Sequence, residues 1–572
     1  MDFDVDDRTT ESLLRDELPS HLPRFKSSTI NPDVHISFDE ILEEIGEFGK
    51  FQIINYILIC FPVMFASANN FTYLFVARQT EFRCSVPVCD SFESTIYQKE
   101  WLPNALPSIT KEYYTPAECE MYAPMPNMMD LYNGTCSSNL FNQSILVPCK
   151  KWISKYNDEI TIVNEWKMFC KDTWKLPFVG TVHFAGIVTG CGIFGFLADR
   201  FGRKLIFIFC IIFMSLSGVA QVFCRGYASF IILVFINAVG TAGVYPMAFI
   251  MGVESVGKQK RELTGVGLNY FNTLGEIMVG VIAWTFPNWI IIQLVFSGPP
   301  IIFIIYWWII PESIRWLLVT RRTRKAATII EKVAKINGVT LSETIKMSLR
   351  AVEAANKAKS LEHTKNDADH EIWPCVKEIL SSCKMVIRFL TVLYIWLSGV
   401  FVFYGLSVNS LNMSGHKYLN FILTSAATIP GYTLAWTLIY KIGRKWTVSG
   451  TLFGCCFCSL VVIFISKNFN WLRILLYFGA KMFVSSSLMV CWIYTAELLP
   501  TVIRSGGVGT ASTIARLAAM LAPFVPYIYP SIPYLPMVLF STVAGLGAIL
   551  VLVLPETKGI KLPETVEEAK SI

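Results

Sequence analysis

The chain has 572 residues, 53% of them hydrophobic and only 16% charged, with a formal net charge of +6. A soluble chain averages about 25% charged residues, so a cytosolic enzyme, a nucleic-acid binder and a disordered scaffold are disfavoured together. The small positive excess reads as loop charge at a membrane surface rather than as a polyanion-binding face.

A bilayer core is crossed by roughly 20 apolar residues in a helix. Twelve such runs are present. In the first half they are Phe51–Phe75, Leu176–Leu197, Leu205–Phe223, Tyr227–Met251, Gly265–Phe286 and Trp289–Ile310. In the second they are Ile387–Leu406, Tyr418–Tyr440, Thr447–Ser466, Leu472–Tyr494, Gly509–Tyr529 and Tyr534–Leu554. No run alternates as the strands of a membrane barrel do. The expected fold is an all-α membrane protein. Residues 1–50 begin with Asp2, Asp4, Asp6, Asp7 and Glu11 and hold no apolar core before span 1. No signal peptide is read there, and the N-terminus is expected in the cytosol.

Loop charges orient the spans. Arg200, Arg203 and Lys204 follow span 2, Lys258, Lys260 and Arg261 follow span 4, and Lys441, Arg444 and Lys445 follow span 8. The opposite loops are nearly bare: Arg225 alone follows span 3, and Trp284–Asn288 has no charge. The positive-inside rule then puts both termini in the cytosol. Residues 77–174 fall outside and carry Cys84, Cys89, Cys119, Cys136, Cys149 and Cys170. Six exported cysteines read as up to three disulfides and leave 15 pairings open. The same loop holds two glycosylation sequons, at Asn133 and Asn142. The remaining cysteines lie mostly in spans or the cytosolic loop and read as packing residues; Cys455, Cys456 and Cys458 are not read as a metal site. Residues 311–385 form a second long loop, inside, between a first bundle 51–310 and a second 386–554; the tail is 555–572. Within that loop 321–350 has helical spacing and many charges. It fits amphipathic helices along the membrane surface or a solvated linker.

The halves repeat. Gly202-Arg203-Lys204 returns as Gly443-Arg444-Lys445, 241 residues on. Glu254 and Arg261 return as Glu497 and Arg504, 243 residues on, and Pro311-Glu312-Ser313 as Pro555-Glu556-Thr557, 244 residues on. Three ordered matches at a near-constant offset indicate two related six-helix bundles, as in many secondary transporters. Acidic groups pair with arginines at helix ends, where the helix dipoles also act. Such pairs suit a gate that breaks when two bundles rock. Asp199, Arg200, Arg203, Glu254, Arg261, Glu312, Arg444, Glu497, Arg504 and Glu556 are therefore candidate gate residues; the alternative is anchoring of loops among lipid headgroups.

The run Gly195-Phe-Leu-Ala-Asp199-Arg200-Phe-Gly202-Arg203-Lys204 resembles the signature loop of the major facilitator superfamily. Pro311-Glu-Ser-Ile-Arg315-Trp316-Leu317 and Pro555-Glu-Thr-Lys-Gly559 look like its end-of-bundle motifs. The large cysteine-rich loop after span 1 is characteristic of its organic cation, carnitine and organic anion transporter family. Phe38-Asp39-Glu40-Ile41, Gly46–Gln52 and Tyr494-Thr-Ala-Glu497-Leu-Leu-Pro500-Thr-Val-Ile-Arg504 are similar to segments of that family. The resemblance covers nearly all of the chain after residue 37. It implies two bundles around a central cavity and transport by alternating access.

Ionisable groups inside spans are costly, so they are candidate functional residues. Arg516 in span 11 offers a planar fork for a carboxylate. By resemblance, anion and carnitine transporters have Arg here, whereas classical organic cation transporters have an acidic residue. Glu276 in span 5 has the charge to hold an ammonium or to take up a proton. Lys481 in span 10 resembles a lysine of carnitine-type members, which leaves a structural role open. His183 in span 2 is a fourth, weaker candidate. Tyr245 and Phe249 share a face of span 4, and aromatic faces attract amines by about 0.5–2 kcal/mol each. Tyr404 in span 7 is a further candidate. By resemblance to sodium-linked carnitine members, Asn69 in span 1 is a candidate to line the cavity or an ion site.

The expectation is a plasma-membrane carrier, monomeric in the sense of one carrier unit per chain, for small organic cations or zwitterions of the carnitine, betaine or β-amino-acid type. Its partners are that substrate and the lipid bilayer, with no nucleic acid and no cofactor; coupling to sodium or protons stays open. An organic anion exchanger is the alternative, supported by Arg516 and opposed by Glu276. A sensor on a carrier fold is a third reading. An enzyme is not expected, because no nucleophile–base pair or ligand cluster is visible. An ATP-driven pump is disfavoured by the lack of a Gly-x4-Gly-Lys-Ser/Thr loop.

Overall fold

A computed structural model describes residues 38–87, 89–90, 96–108, 116–125, 136–156, 159–257, 260–343, 346–347, 377–500, 503–528, 534–560, 563 and 566–571. Among them twelve helices are long and apolar enough to cross a membrane. Spans 1 to 6 are Lys50–Val76, Cys170–Phe201, Arg203–Gln221, Tyr227–Glu254, Arg261–Thr285 and Trp289–Ile309. Spans 7 to 12 are Cys383–Asn412, Lys417–Ile442, Arg444–Phe464, Asn470–Leu498, Gly506–Tyr527 and Leu535–Val553. Every expected apolar run lies on one of them. Large apolar side chains remain exposed on the outside, among them Phe223 and Phe464 at 78% and 79%. Such a surface needs lipid around it.

Two spans are less regular than their apolar runs suggest. Span 6 tightens to a 3-10 helix over Pro299–Ile305, because Pro299 and Pro300 bring no N–H to the α ladder. Span 8 is two helical pieces, Lys417–Ala426 and Thr428–Ile442, with Pro430 at the start of the second.

The loop between spans 1 and 2 folds into a cap. Strand β1 (Phe82–Cys84) pairs antiparallel with β4 (Trp152–Ser154), and β2 (Glu120–Pro124) with β3 (Phe141–Pro148). The disulfides are Cys84–Cys149, Cys89–Cys136 and Cys119–Cys170. Arg83 is wholly buried beneath them. Its guanidinium donates to both Asp90 oxygens at 2.8 and 3.0 Å and to the carbonyls of Tyr97, Cys84 and Ile96. A small domain with little core relies on such cross-links. Asn142 lies on β3 and is partly exposed; Asn133 lies outside the described residues.

The end of the bundle away from the cap carries the repeated turns. Gly202 closes span 2 at φ +112°, and Glu312 stands 2.5 Å from where its Cβ would be; Gly443 closes span 8 at φ +94°, with Glu556 at 2.6 Å. Only glycine combines that backbone with that approach. Beyond the turns, the helix Thr323–Asn337 packs Ile330, Val333 and Ala334 against Ile41, Leu42 and Ile45 of the N-terminal segment. Asn337 fastens the contact, donating to the Ile45 carbonyl at 2.8 Å and accepting from Phe51 N at 3.0 Å. So the helical spacing within 321–350 does mark a helix here, but its apolar face is covered by protein rather than by lipid. Sequence periodicity could not make that choice, because both covers need the same stripe.

Candidate functional site

The two bundles meet at the cap end. Phe75 of span 1 packs on Phe421 and Tyr418 of span 8, with ring centroids 5.1 and 5.9 Å apart. Thr181 of span 2 donates to the Met520 carbonyl at 2.9 Å, and Pro523 fills the space beside Gly180. Lys417 bonds to Glu159 of the cap, which also accepts from the Tyr418 hydroxyl at 3.2 Å. At the opposite end spans 2 and 11 diverge: nothing lies within 4 Å of the Cβ positions of Gly192, Gly195, Gly506 or Gly509. Contacts between halves persist there on the other flank, where Tyr440 bonds to Glu262.

Between these ends lie most of the candidate residues. Arg516 is partly buried, and its Nη1 donates to the Ser512 carbonyl at 2.9 Å and hydroxyl at 2.5 Å, one turn back on its own helix. Among the described residues no carboxylate pairs with it. Tyr245 and Tyr404 come from opposite halves. Tyr245 donates to Asn269 Oδ1 at 3.0 Å. Tyr404 stacks on Phe71 at 5.7 Å and meets the edge of Phe184 at 4.7 Å. Phe249 faces Trp492 across the interface at 6.1 Å.

Glu276 is wholly buried. Its Oε1 accepts from Asn272 at 3.1 Å, while Oε2 has no hydrogen-bond partner among the described residues. An open buried carboxylate oxygen is costly. Lys481, also wholly buried, is held within its own half. It donates to the Phe403 carbonyl at 3.0 Å and the Ser407 hydroxyl at 2.6 Å, and sits 3.1 Å above the Phe403 ring. Asn69 is used up inside the first half, donating to the Phe65 and Phe296 carbonyls and accepting from Ser297. It therefore packs the first bundle rather than facing the other. His183 is buried against Tyr73 and bonds to Asn70 Oδ1 at 3.1 Å.

Several neighbours were not singled out from the sequence. Asn269, Asn272, Thr273 and Glu276 form one polar stripe on span 5, with Thr273 bonded to Thr428 of span 8 at 2.8 Å. Their i, i+3, i+4, i+7 spacing was a readable signal. Tyr432 of span 8 and Trp492 of span 10 join the same region. No local pattern distinguished them from other aromatics.

The repeated turns build the same cluster twice. In the first half Arg203 pairs with Asp199 at 3.0 Å and approaches Glu254 at 3.9 Å. Ser313 donates to Glu254 at 2.5 Å, and Glu312 caps the Lys204 N–H at 3.0 Å. In the second half Arg444 pairs with Glu497 at 2.8 Å, Thr557 donates to Glu497 at 2.5 Å, and Glu556 caps the N–H groups of Arg444 and Lys445 at 2.8 and 3.1 Å. Both clusters join elements of a single half. Arg504 donates to the Leu499 and Pro563 carbonyls. Arg261 opens span 5, and Arg200 is exposed beside Phe201.

The sugar (and other) transporter family model matches residues 145–569. Solute carrier family 22 member 21 of Mus musculus is 30% identical over 94% of both chains. Organic cation/carnitine transporter 2 of Mus musculus is 29% identical over 93% of each, and the organic cation transporter protein of Drosophila melanogaster is 28% identical over 94% of this chain and 95% of its own. A partially occluded, inward-open structure of the xylose transporter XylE from E. coli superposes with a TM-score of 0.54 at 14% identity, covering 90% of this chain and 100% of that one. At that identity it speaks for the fold alone, which is that of the major facilitator superfamily. The protein is a multi-pass membrane transporter rather than an enzyme. The chain belongs to the sugar (and other) transporter family and, within it, to solute carrier family 22.

Proposed function

We propose that the protein carries small organic cations or zwitterions of the carnitine, betaine or β-amino-acid type across the plasma membrane by alternating access. The observation that carries this reading is Arg516. Its guanidinium has no acidic partner among the described residues and donates only along its own helix, to Ser512. A guanidinium without an acidic partner suits a substrate carboxylate. Glu276, with one open carboxylate oxygen, supplies the opposite charge for an amine or a coupling proton, and the tyrosines offer cation–π faces. The printed names of the relatives, organic cation and carnitine transporters, agree.

In this reading the cap lies outside the cell, where disulfides persist, and Asn133 and Asn142 carry glycans. The termini and repeated turns face the cytosol. The paired clusters at Arg203 and Arg444 brace each half as it rocks, and the cap end closes while the turn end opens.

Uptake into vesicles of a zwitterion, a pure cation and a pure anion, with and without sodium, tests the reading. Zwitterion uptake is expected to fall in Arg516→Ala with pure-cation uptake retained, and Glu276→Gln should weaken amine recognition more than Glu276→Asp. Full zwitterion uptake by Arg516→Ala would remove the carboxylate role. Transport of the anion alone would favour an anion exchanger.

A further inference from the structure

The helix Thr323–Asn337 has spent its apolar face on the N-terminal segment. Its other face carries Arg324, Lys325, Lys332 and Lys335, the short helix before it (Ile314–Val319) carries Arg315, and the turn between them carries Arg321 and Arg322; all seven are exposed. Glu331 is the acid among them. Among the described residues none of the seven is paired with a carboxylate. Arg322 lies over the Trp316 ring at 4.9 Å. A row of like charges without counter-ions is self-repelling, so it needs an outside anion.

Its position in the fold says which anion. Lys204, at the start of span 3, donates to the Trp307 carbonyl at 2.6 Å, and Trp316, under Arg322, donates to the Asp199 carbonyl at the end of span 2 at 2.9 Å. Trp307 and Trp308, at the end of span 6, are 50% and 73% exposed. Exposed indoles at a span end lie at headgroup depth. The basic row therefore starts at the membrane rim rather than out in solution.

We propose that this basic face docks on anionic lipid headgroups. The helix meets the membrane through charge, not through an inserted apolar stripe. The proposal uses the membrane placement of the spans. It does not depend on which side this end faces or on the substrate.

The test uses the full chain in liposomes containing spin-labelled phosphatidylserine or phosphatidylcholine, with the motionally restricted lipid fraction as readout. A serine-lipid preference of about two- to threefold is expected, shrinking as salt rises from about 0.05 to 0.5 M. Replacing Arg324, Lys325, Lys332 and Lys335 together by Gln should bring the ratio towards one, and Arg in place of the three lysines should keep it. Glu331→Gln, a single exposed change that spares the fold, should raise the ratio. No preference in the natural chain, or an unchanged ratio in Glu331→Gln, overturns the proposal. So does loss of the preference to millimolar glycerophosphoserine, which would show capture of a free headgroup instead of docking on a lipid surface.

Discussion

Glu276 of span 5 and Lys481 of span 10 are both wholly buried and belong to opposite halves, and no ion pair joins them among the described residues. Lys481 instead spends its donors on Phe403 and Ser407 of its own half. The second bundle therefore holds a buried lysine satisfied within its own half, and the first holds a carboxylate that keeps one oxygen open.

Lys481→Met removes the donors to the Phe403 carbonyl and the Ser407 hydroxyl. Unfolding in detergent, followed by tryptophan fluorescence, should show a loss of about 1–3 kcal/mol, the cost of leaving buried acceptors unpaired. Glu276→Gln combined with Lys481→Met should be less damaging than the sum of the two, with a coupling of about 0.5–3 kcal/mol. Additive losses would show that the charges are independent.

Arg516→Lys keeps the positive charge and loses the planar fork. Half-saturation for carboxylate-bearing substrates should rise about tenfold, equivalent to ~1.4 kcal/mol, while pure cations are unaffected. An unchanged value would mean that charge alone is read.

The duplicated clusters differ in tightness. Arg444 makes two hydrogen bonds to Glu497, at 2.8 and 3.1 Å, whereas Arg203 stands 3.9 Å from Glu254 and leans on the exposed Asp199. Arg444→Ala should therefore cost about 1 kcal/mol more in thermal unfolding than Arg203→Ala, since charged hydrogen bonds contribute about 1.5–3 kcal/mol each when well made. Equal losses would make the distance difference irrelevant.

Glu159 of the cap holds Lys417 and Tyr418 of the second half. Glu159→Gln weakens this latch. A cysteine at Phe421, buried between the halves at the cap end, should then react severalfold faster with a water-soluble maleimide. Unchanged labelling would show that the Glu159 bonds do not hold that end shut.

The cap should be acid-sensitive through Asp90. Burial raises the Asp90 pKa, but hydrogen bonds from Arg83 and the Val86 N–H, with the Arg83 charge and Lys99, outweigh burial and hold it below the usual value. A lowered folded pKa contributes stability that is present above the unfolded value of about 3.9 and lost as pH falls through the folded one. Cap unfolding, read from protease susceptibility, should rise below about pH 4. Asp90→Asn should raise it at neutral pH and flatten that dependence. A steep acid dependence surviving in Asp90→Asn would place it elsewhere.

Much of the fold was legible because its signals are local. Apolar runs, glycine turns and the offset between Arg203 and Arg444 are all written along the chain. The site was less so. Glu276 and Arg516 stood out as charges in apolar segments, and the polar stripe at Asn269, Asn272 and Thr273 could have been read with Glu276. Asn69 and Lys481 looked equally polar at depth. Their partners, Phe296 and Ser407, lie 227 and 74 residues away, so spacing gave no hint that both were already satisfied.

Low charge was the first property of this chain to be read, and by itself the sequence determined that the protein lives in a membrane, crosses it twelve times and is built as a repeat. Those properties follow from hydrophobicity and helix length, which any stretch of chain carries alone. Only the tertiary structure decided which of the 15 cysteine pairings forms, which cations find carboxylates and which face of the helix Thr323–Asn337 meets protein. Each of those depends on distances between residues far apart in sequence, and Coulomb and hydrogen-bond energies act over a few ångströms of space, whatever the separation along the chain.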